Sequence, residues 1–194
     1  MKLKLFDKRA GITRLGPGKR FGIWTQGCPR HCPGCMTPES QSMDGGYEIG
    51  TDELAEEVLR SGLTGLTISG GEPFLQPAAL SELIGTLRRT ADIGVIVYTG
   101  YTYEELVRGT DEQQKLLSQC DLIIDGPYID ALNDGKGLRG SSNQRAVHIT
   151  ERYRDRLGGF GAEGRAVEFF IGEEKTVMIG VPSRELLDRI RKQE

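Results

Sequence analysis

The chain has 194 residues, of which 37% are hydrophobic and 27% charged, with a formal net charge of −3 at pH 7 and a pI near 5.6. This length suits a single domain with a buried core, and the acidic balance does not favour a general nucleic-acid binder. No apolar run approaches the ~20 residues that span a bilayer, and the first residues lack the apolar stretch of a signal peptide. We therefore expect a cytoplasmic protein with reduced thiols that binds neither nucleic acid nor membrane.

Strand-like and helix-like segments alternate along the first 125 residues. Apolar, β-rich runs at residues 21–26, 63–69, 93–98 and 121–124 predict four strands. Amphipathic spacing predicts a helix capped by Thr51, a second helix through residues 80–87, a short one opened by a Thr102–Glu105 capping box, and another over residues 111–119. Such alternation indicates βαβ units and a parallel sheet, which binds ligands at the carboxyl ends of its strands.

The last third of the chain has a different composition. Residues 133–164 are polar and rich in glycine, which predicts a long loop, either functional or mobile. Two β-rich runs at residues 166–171 and 176–181, joined by GEEK, predict a hairpin. Ser183 is expected to cap a final helix. These additions either extend the sheet or cover one of its open sides.

Three of the four cysteines lie close together in GCPRHCPGC, as Cys28, Cys32 and Cys35. In a reducing compartment this cluster indicates a metal or catalysis rather than a disulfide framework. Zinc is one alternative, but structural zinc usually takes four ligands; His31 adjoins Cys32, where joint ligation is strained, and Cys120 is expected to pack as a small apolar residue. An iron–sulfur cluster fits better, because thiolates are its usual ligands and three of them leave one iron open.

A second motif, SGGEP at residues 69–73, follows a predicted strand directly. Gly70 and Gly71 expose backbone polar groups and Glu72 supplies a carboxylate, a combination suited to holding an ammonium group. A glycine pair after a strand is by itself typical of a tight turn. Its value as a signal comes from its pairing with the cysteine loop.

The pair C-x3-C-x2-C and GGEP resembles the radical S-adenosylmethionine (SAM) superfamily. Four stretches, GIWTQGCPRHCPGC, TISGGEP, VYTGYTYEEL and IIDGPYID followed by LRGSSNQR, resemble the small activating enzymes of anaerobic ribonucleoside-triphosphate reductase, over about three-quarters of the chain. The resemblance implies an α/β fold, a partial (βα)6-type barrel open on one side. It also implies one domain over residues 1–194, in which residues 151–194 are a C-terminal hairpin and helix extension.

The resemblance further implies a [4Fe-4S] cluster on Cys28, Cys32 and Cys35, with SAM on the open iron. Reduction by a donor such as flavodoxin or ferredoxin would cleave SAM to methionine and a 5′-deoxyadenosyl radical. That radical would take hydrogen from a glycine of a partner enzyme, such as anaerobic ribonucleotide reductase. The residues implied to contact SAM are Gly34, Cys35, Met36, Gly70, Gly71, Glu72, Thr99, Asp125 and Arg139.

The sequence departs from the family at Pro127, where related activases often carry a lysine two residues after the aspartate of the fourth strand. Another group must then balance the SAM carboxylate, and Arg139, Ser141 and Arg145 are the candidates. Asp125 is either a SAM contact or an ordinary turn residue. Two other functions stay open: a radical SAM enzyme acting on another peptide or a small molecule, and a non-catalytic metal-binding protein.

Overall fold

The computed structural model describes residues 1–157, 166–173 and 176–191. Their main feature is a seven-stranded sheet that consists of β1 (Lys2–Ile12), β2 (Arg20–Thr25), β3 (Tyr47–Gly50), β4 (Gly65–Gly70), β5 (Gly94–Tyr98), β6 (Leu122–Asp125) and β7 (Arg145–His148). The order across the sheet is β3-β1-β2-β4-β5-β6-β7. The central strands β2, β4, β5 and β6 are parallel, and β1, β3 and β7 pair antiparallel to their neighbours. The fold is therefore α/β with a mostly parallel central sheet.

The four strands predicted from the apolar runs are the four parallel strands. They read as continuous apolar runs because both of their faces are buried. On β5, Val95 and Val97 belong to the core shared with the helices, whereas Ile96 between them belongs to a second core on the opposite face. The sequence reasoning missed the antiparallel strands, although Leu3 and Leu5 of β1 alternate with lysines and are both fully buried.

The helices are α1 (Thr51–Arg60), α2 (Pro77–Thr90), α3 (Tyr103–Val107), α4 (Asp111–Ser118) and α5 (Arg184–Arg191). The predicted Thr102–Glu105 capping box is confirmed at α3. The predicted Thr51 cap is wrong, because Gly50 is the N-cap and Thr51 is the first helical residue. The Thr51 hydroxyl donates instead to Glu82 of α2 at 2.7 Å, which ties the two helices together. None of the described helices has the length and apolar character needed to cross a membrane.

The predicted C-terminal hairpin is present as β8 (Glu168–Ile171) and β9 (Thr176–Ile179), although residues 174 and 175 of its turn lie outside the described residues. It forms a separate two-stranded sheet and does not extend the central one. Ile179 packs with Ile12 and Trp24 on the face opposite the helices. The Glu168 carboxylate accepts hydrogen bonds from the N–H and the hydroxyl of Thr13, at 2.7 and 3.0 Å. The hairpin therefore covers one face of the main sheet.

Much of the long polar stretch is ordered on this sheet. Its described part contains β7, the edge strand beside β6, and a 3-10 turn at Glu151–Tyr153. Residues 158–164 of the predicted loop lie outside the described part of the chain. Ser183 caps α5 as predicted, since its hydroxyl accepts a hydrogen bond from the N–H of Leu186 at 3.3 Å.

Candidate active site

A cavity lies at the carboxyl ends of the parallel strands, where the sheet topology predicts a ligand site. Three segments that are far apart in sequence meet there: the cysteine loop after β2, the glycine pair after β4, and the residues after β5. Of the predicted site residues, those lining this cavity are Cys28, Cys32, Cys35, Met36, Gly70, Gly71, Glu72 and Thr99. Gly34 lies within the same loop at φ +72°, with Asp130 behind it.

The cysteine loop is held at its start by backbone hydrogen bonds. The N–H of Gly27 donates to Ser40 at 2.8 Å, and that of Cys28 donates to Gln41 at 3.0 Å. All three cysteines are half-buried and unbridged. Burial raises the pKa of the Cys28 thiol above its usual value.

Three thiols and the Glu72 carboxylate are the possible metal donors among the described residues that line the cavity. The His31 side chain is exposed and lies 3.3 Å from the amide oxygen of Gln41, and Cys120 is fully buried in the main core, as predicted. Within the described residues, no three Cys, His, Asp or Glu side chains are grouped to hold a single metal ion. Three thiols on the wall of one cavity fit an iron–sulfur cluster, in which each thiolate binds a different iron.

The glycine pair of SGGEP packs directly against the cysteine loop. The N–H of Gly71 donates to Thr25 at 2.7 Å, and the N–H of Glu72 donates to Gly27 at 2.8 Å. A Cβ atom on Gly71 would lie 2.2 Å from the carbonyl oxygen of Gly27, so only glycine permits this approach. The cysteine loop and SGGEP therefore form one packed unit, although some 40 residues separate them.

Glu72 is a buried carboxylate with three hydrogen-bond donors around it. Its oxygens accept from the Thr99 hydroxyl at 2.8 Å, the Phe74 N–H at 3.0 Å and the Gly100 N–H at 2.8 Å. Burial still raises the pKa of Glu72 above its usual value, because removal from water outweighs these bonds. Thr99 therefore acts here as a positioning residue for Glu72.

Comparison with known proteins agrees with this geometry. The model of the 4Fe-4S single cluster domain family matches residues 15–147. The anaerobic ribonucleoside-triphosphate reductase-activating protein of Vibrio cholerae is 34% identical over 140 residues, which cover 66% of this chain and 87% of that protein. Its counterpart in Enterobacteria phage T4 is 34% identical over 142 residues, covering 70% and 88%. The pyruvate formate-lyase-activating enzyme of Clostridium pasteurianum is 36% identical over 135 residues, covering 64% and 54%.

The chain belongs to the radical SAM family of glycyl-radical-enzyme activating proteins. It is thus an enzyme with an iron–sulfur cluster domain, and the matched region contains all three cysteines of the cavity.

Three of the residues implied to contact SAM, namely Gly34, Asp125 and Arg139, are not among the described residues that line the cavity. Asp125 is buried, but it accepts a hydrogen bond from the Tyr103 N–H at 2.7 Å and forms an ion pair with Arg145. Arg145 also binds Glu104 at 2.7 Å, and this hydrogen-bonded ion pair holds the pKa of Glu104 at about 2. The structure therefore gives Asp125 a structural partner that the local sequence did not suggest.

Arg139 and Ser141, the other candidates to balance a SAM carboxylate, also lie elsewhere. Arg139 lines a different cavity and pairs with Asp134 at 2.7 Å. Ser141 is fully buried, and its hydroxyl accepts a hydrogen bond from the Ile129 N–H at 3.1 Å. The SAM contact expected of Arg139 therefore stays a prediction, and the structure places its side chain at a neighbouring cavity.

Sequence reasoning missed several parts of the cavity wall. Arg30 projects from the cysteine loop, and Tyr128 and Gln144 form part of another wall. Gln144 joins the strand end to the LRGSSNQR loop, donating to the Gly126 carbonyl and accepting from the Gly140 N–H, both at 2.7 Å. Residues 178–182 of the C-terminal segment complete the lining. The stretches that carry the family resemblance include Arg30, Tyr128 and Gln144, but the resemblance implies a SAM contact for none of them.

Proposed function

We propose that this enzyme cleaves SAM reductively and uses the resulting 5′-deoxyadenosyl radical to remove a hydrogen atom from a glycine of a partner protein. Anaerobic ribonucleotide reductase is the leading candidate for that partner, given the names of the relatives. One observation carries the proposal: the three thiols and the Gly70–Gly71–Glu72 segment line the same cavity at the strand ends.

The side chains of Cys28, Cys32 and Cys35 would hold a [4Fe-4S] cluster with one iron left for SAM. When bound, this cluster supplies the single electron, drawn from a reductant such as flavodoxin or ferredoxin, that breaks a C–S bond of SAM and leaves methionine and the deoxyadenosyl radical. Hydrogen transfer from the partner then yields 5′-deoxyadenosine and a glycyl radical. A cytoplasmic location, where thiols stay reduced, is part of this proposal.

The chain's own residues would bind and orient SAM. The N–H groups of Gly71 and Glu72 already donate within the protein, so the acceptors that this segment offers an ammonium group are carbonyl and carboxylate oxygens. Met36 would lie beside the adenine. The fold that we propose for this arrangement is a single radical SAM domain, a partial (βα)6-type barrel built on the parallel strands, with residues 151–194 as an extension.

The test is anaerobic. The protein is reconstituted with iron and sulfide, reduced with dithionite and supplied with SAM, and 5′-deoxyadenosine is quantified with and without the candidate reductase. We expect product from the wild type and from Cys120→Ala, whose thiol lies in the main core, and none from Cys32→Ala. Electron paramagnetic resonance of the mixture should show a glycyl radical on the reductase.

The other outcomes separate the alternatives. Product without a glycyl radical on any candidate partner would indicate a radical SAM enzyme with another peptide or a small molecule as substrate. A fully loaded cluster that forms no product, even with the partner present, would contradict the proposed reaction and leave a metal-binding role.

A further inference from the structure

The carboxylate of SAM is an anion, and the wall of the cavity already carries the Glu72 carboxylate. A cationic side chain on this wall would therefore favour the binding of SAM, in addition to the open iron. Among the described residues that line the cavity, Arg30 is the one with a cationic side chain. It lies between Cys28 and Cys32, and its side chain is 23% exposed.

The contacts of Arg30 fix its guanidinium group without using up its hydrogen-bonding capacity. The group stacks over the Tyr101 ring at 4.4 Å from the centroid, and the arginine stem packs on Gly100, where a Cβ atom would lie 2.3 Å from Arg30 Cδ. The Nε atom is 4.0 Å from Glu72 Oε2, and Nη2 is 3.8 Å from Glu105 Oε2. Both separations exceed hydrogen-bond distance, so the N–H groups of the guanidinium can still donate to a closer acceptor.

We propose that Arg30 binds the carboxylate of SAM. This inference rests on the proposed function. The amino and carboxylate groups of the methionyl end share one carbon atom, so their binding groups must be neighbours. Arg30 meets this condition, because it lies 4.0 Å from Glu72, at the segment that would hold the amino group. A guanidinium also matches a carboxylate with two parallel hydrogen bonds.

The two other candidate arginines do not meet the condition that the group binding the carboxylate must neighbour the group binding the amino end. Arg145 is committed to Asp125 and Glu104, and Arg139 pairs with Asp134 beside a different cavity. Neither lines the cavity that holds the thiols.

The test measures binding rather than turnover. Equilibrium dialysis of the reconstituted protein, with its cluster oxidised so that SAM is not consumed, gives dissociation constants for SAM and for decarboxylated SAM. The two ligands differ only in the carboxylate. In the wild type SAM should bind more tightly. In Arg30→Gln the ratio of the two constants should shrink about 10- to 100-fold, the range expected for losing a charge-assisted hydrogen-bonded pair. Any preference that the open iron gives to the carboxylate remains in both proteins.

Control variants distinguish this role from a structural one. A purely structural effect of Arg30→Gln would weaken both ligands equally and leave the ratio unchanged, which would overturn the proposal. Arg30→Lys keeps the charge but loses the planar fork, so it should retain part of the preference. Arg60→Gln, on the exposed surface of α1, should match the wild type. If Arg139→Gln abolishes the preference and Arg30→Gln does not, Arg139 is the carboxylate ligand. A wild type that binds neither ligand would contradict the proposed function itself.

Discussion

Replacing Gly71 by alanine tests whether the two motifs truly form one packed unit. The added Cβ would lie 2.2 Å from the Gly27 carbonyl oxygen, whereas real Cβ contacts essentially never fall below 3.0 Å. The segments must therefore separate by at least about 0.8 Å. The obstacle is backbone on both sides, so no side-chain rotation can relieve it.

The expected cost of Gly71→Ala follows from what this separation disrupts. The hydrogen bonds from Gly71 to Thr25 and from Glu72 to Gly27, at 2.7 and 2.8 Å, both cross the contact. Losing them, at about 1 kcal/mol each, together with overpacking of ~1–3 kcal/mol, lowers the free energy of unfolding by about 3–5 kcal/mol. With a denaturant slope of ~2 kcal/mol/M, the urea midpoint should fall by about 1.5–2.5 M.

The assay is urea denaturation of the iron-free protein under reducing conditions, so that cluster loss does not enter the transition. Gly85→Ala is the matched control, because its Cβ would meet only the end of Arg89 at 4.0 Å within helix α2. That substitution should raise the free energy of unfolding by about 0.5–1 kcal/mol, through helix propensity. A Gly71→Ala protein as stable as the wild type would refute the packing argument. So would equal effects of the two substitutions.

Two further predictions concern side chains outside the cavity. Arg145→Gln should let the pKa of Glu104 rise from about 2 toward its ordinary value, as measured by NMR titration. It should also destabilise the fold, because Asp125 is left buried without its cation. The depressed pKa of Glu104 stabilises the fold at pH values above the ordinary carboxyl range, and this stabilisation is lost as the pH falls toward 2. The loss in free energy of unfolding that Arg145→Gln causes should therefore become smaller in acid. A loss that is independent of pH would contradict the Glu104 contribution. Glu168→Ala removes the acceptor of the Thr13 bonds, so amide exchange should accelerate in β8 and β9 while the main sheet keeps its protection; unchanged exchange in the hairpin would show that its apolar contacts hold it alone.

The sheet could be predicted as far as its strands carry a local signal. β4, β5 and β6 are short, apolar and bounded by polar or glycine residues, which is the pattern of strands buried on both faces. β1 has the alternation of a half-buried strand at Leu3 and Leu5, but Asp7, Lys8 and two register irregularities interrupt the pattern. β7 has only four residues and gains its place by pairing with β6, an event that no local window records.

The residues of the cavity likewise differ in how far the sequence predicts them. The cysteines and Gly71 could be found because their chemistry depends on spacing and on the absence of a side chain, both of which are visible in the sequence. The ion pair of Asp125 could not be predicted, because its partner Arg145 is 20 residues away and reaches it only through the antiparallel pairing of β6 and β7. Arg30 gave no signal beyond its place in the loop, since its role depends on Tyr101 and on how the loop folds over it.

Family membership specifies the reaction of this chain more closely than its substrate. The thiols and the Gly70–Gly71–Glu72 segment lie within residues 15–147, the region matched by the family model. Residues 178–182 lie beyond that region, yet they line the same cavity. The wall of the candidate active site therefore has two origins in the chain. The thiols and the glycine pair belong to the region matched by the family model, whereas residues 178–182 bring a second part of the wall from beyond it.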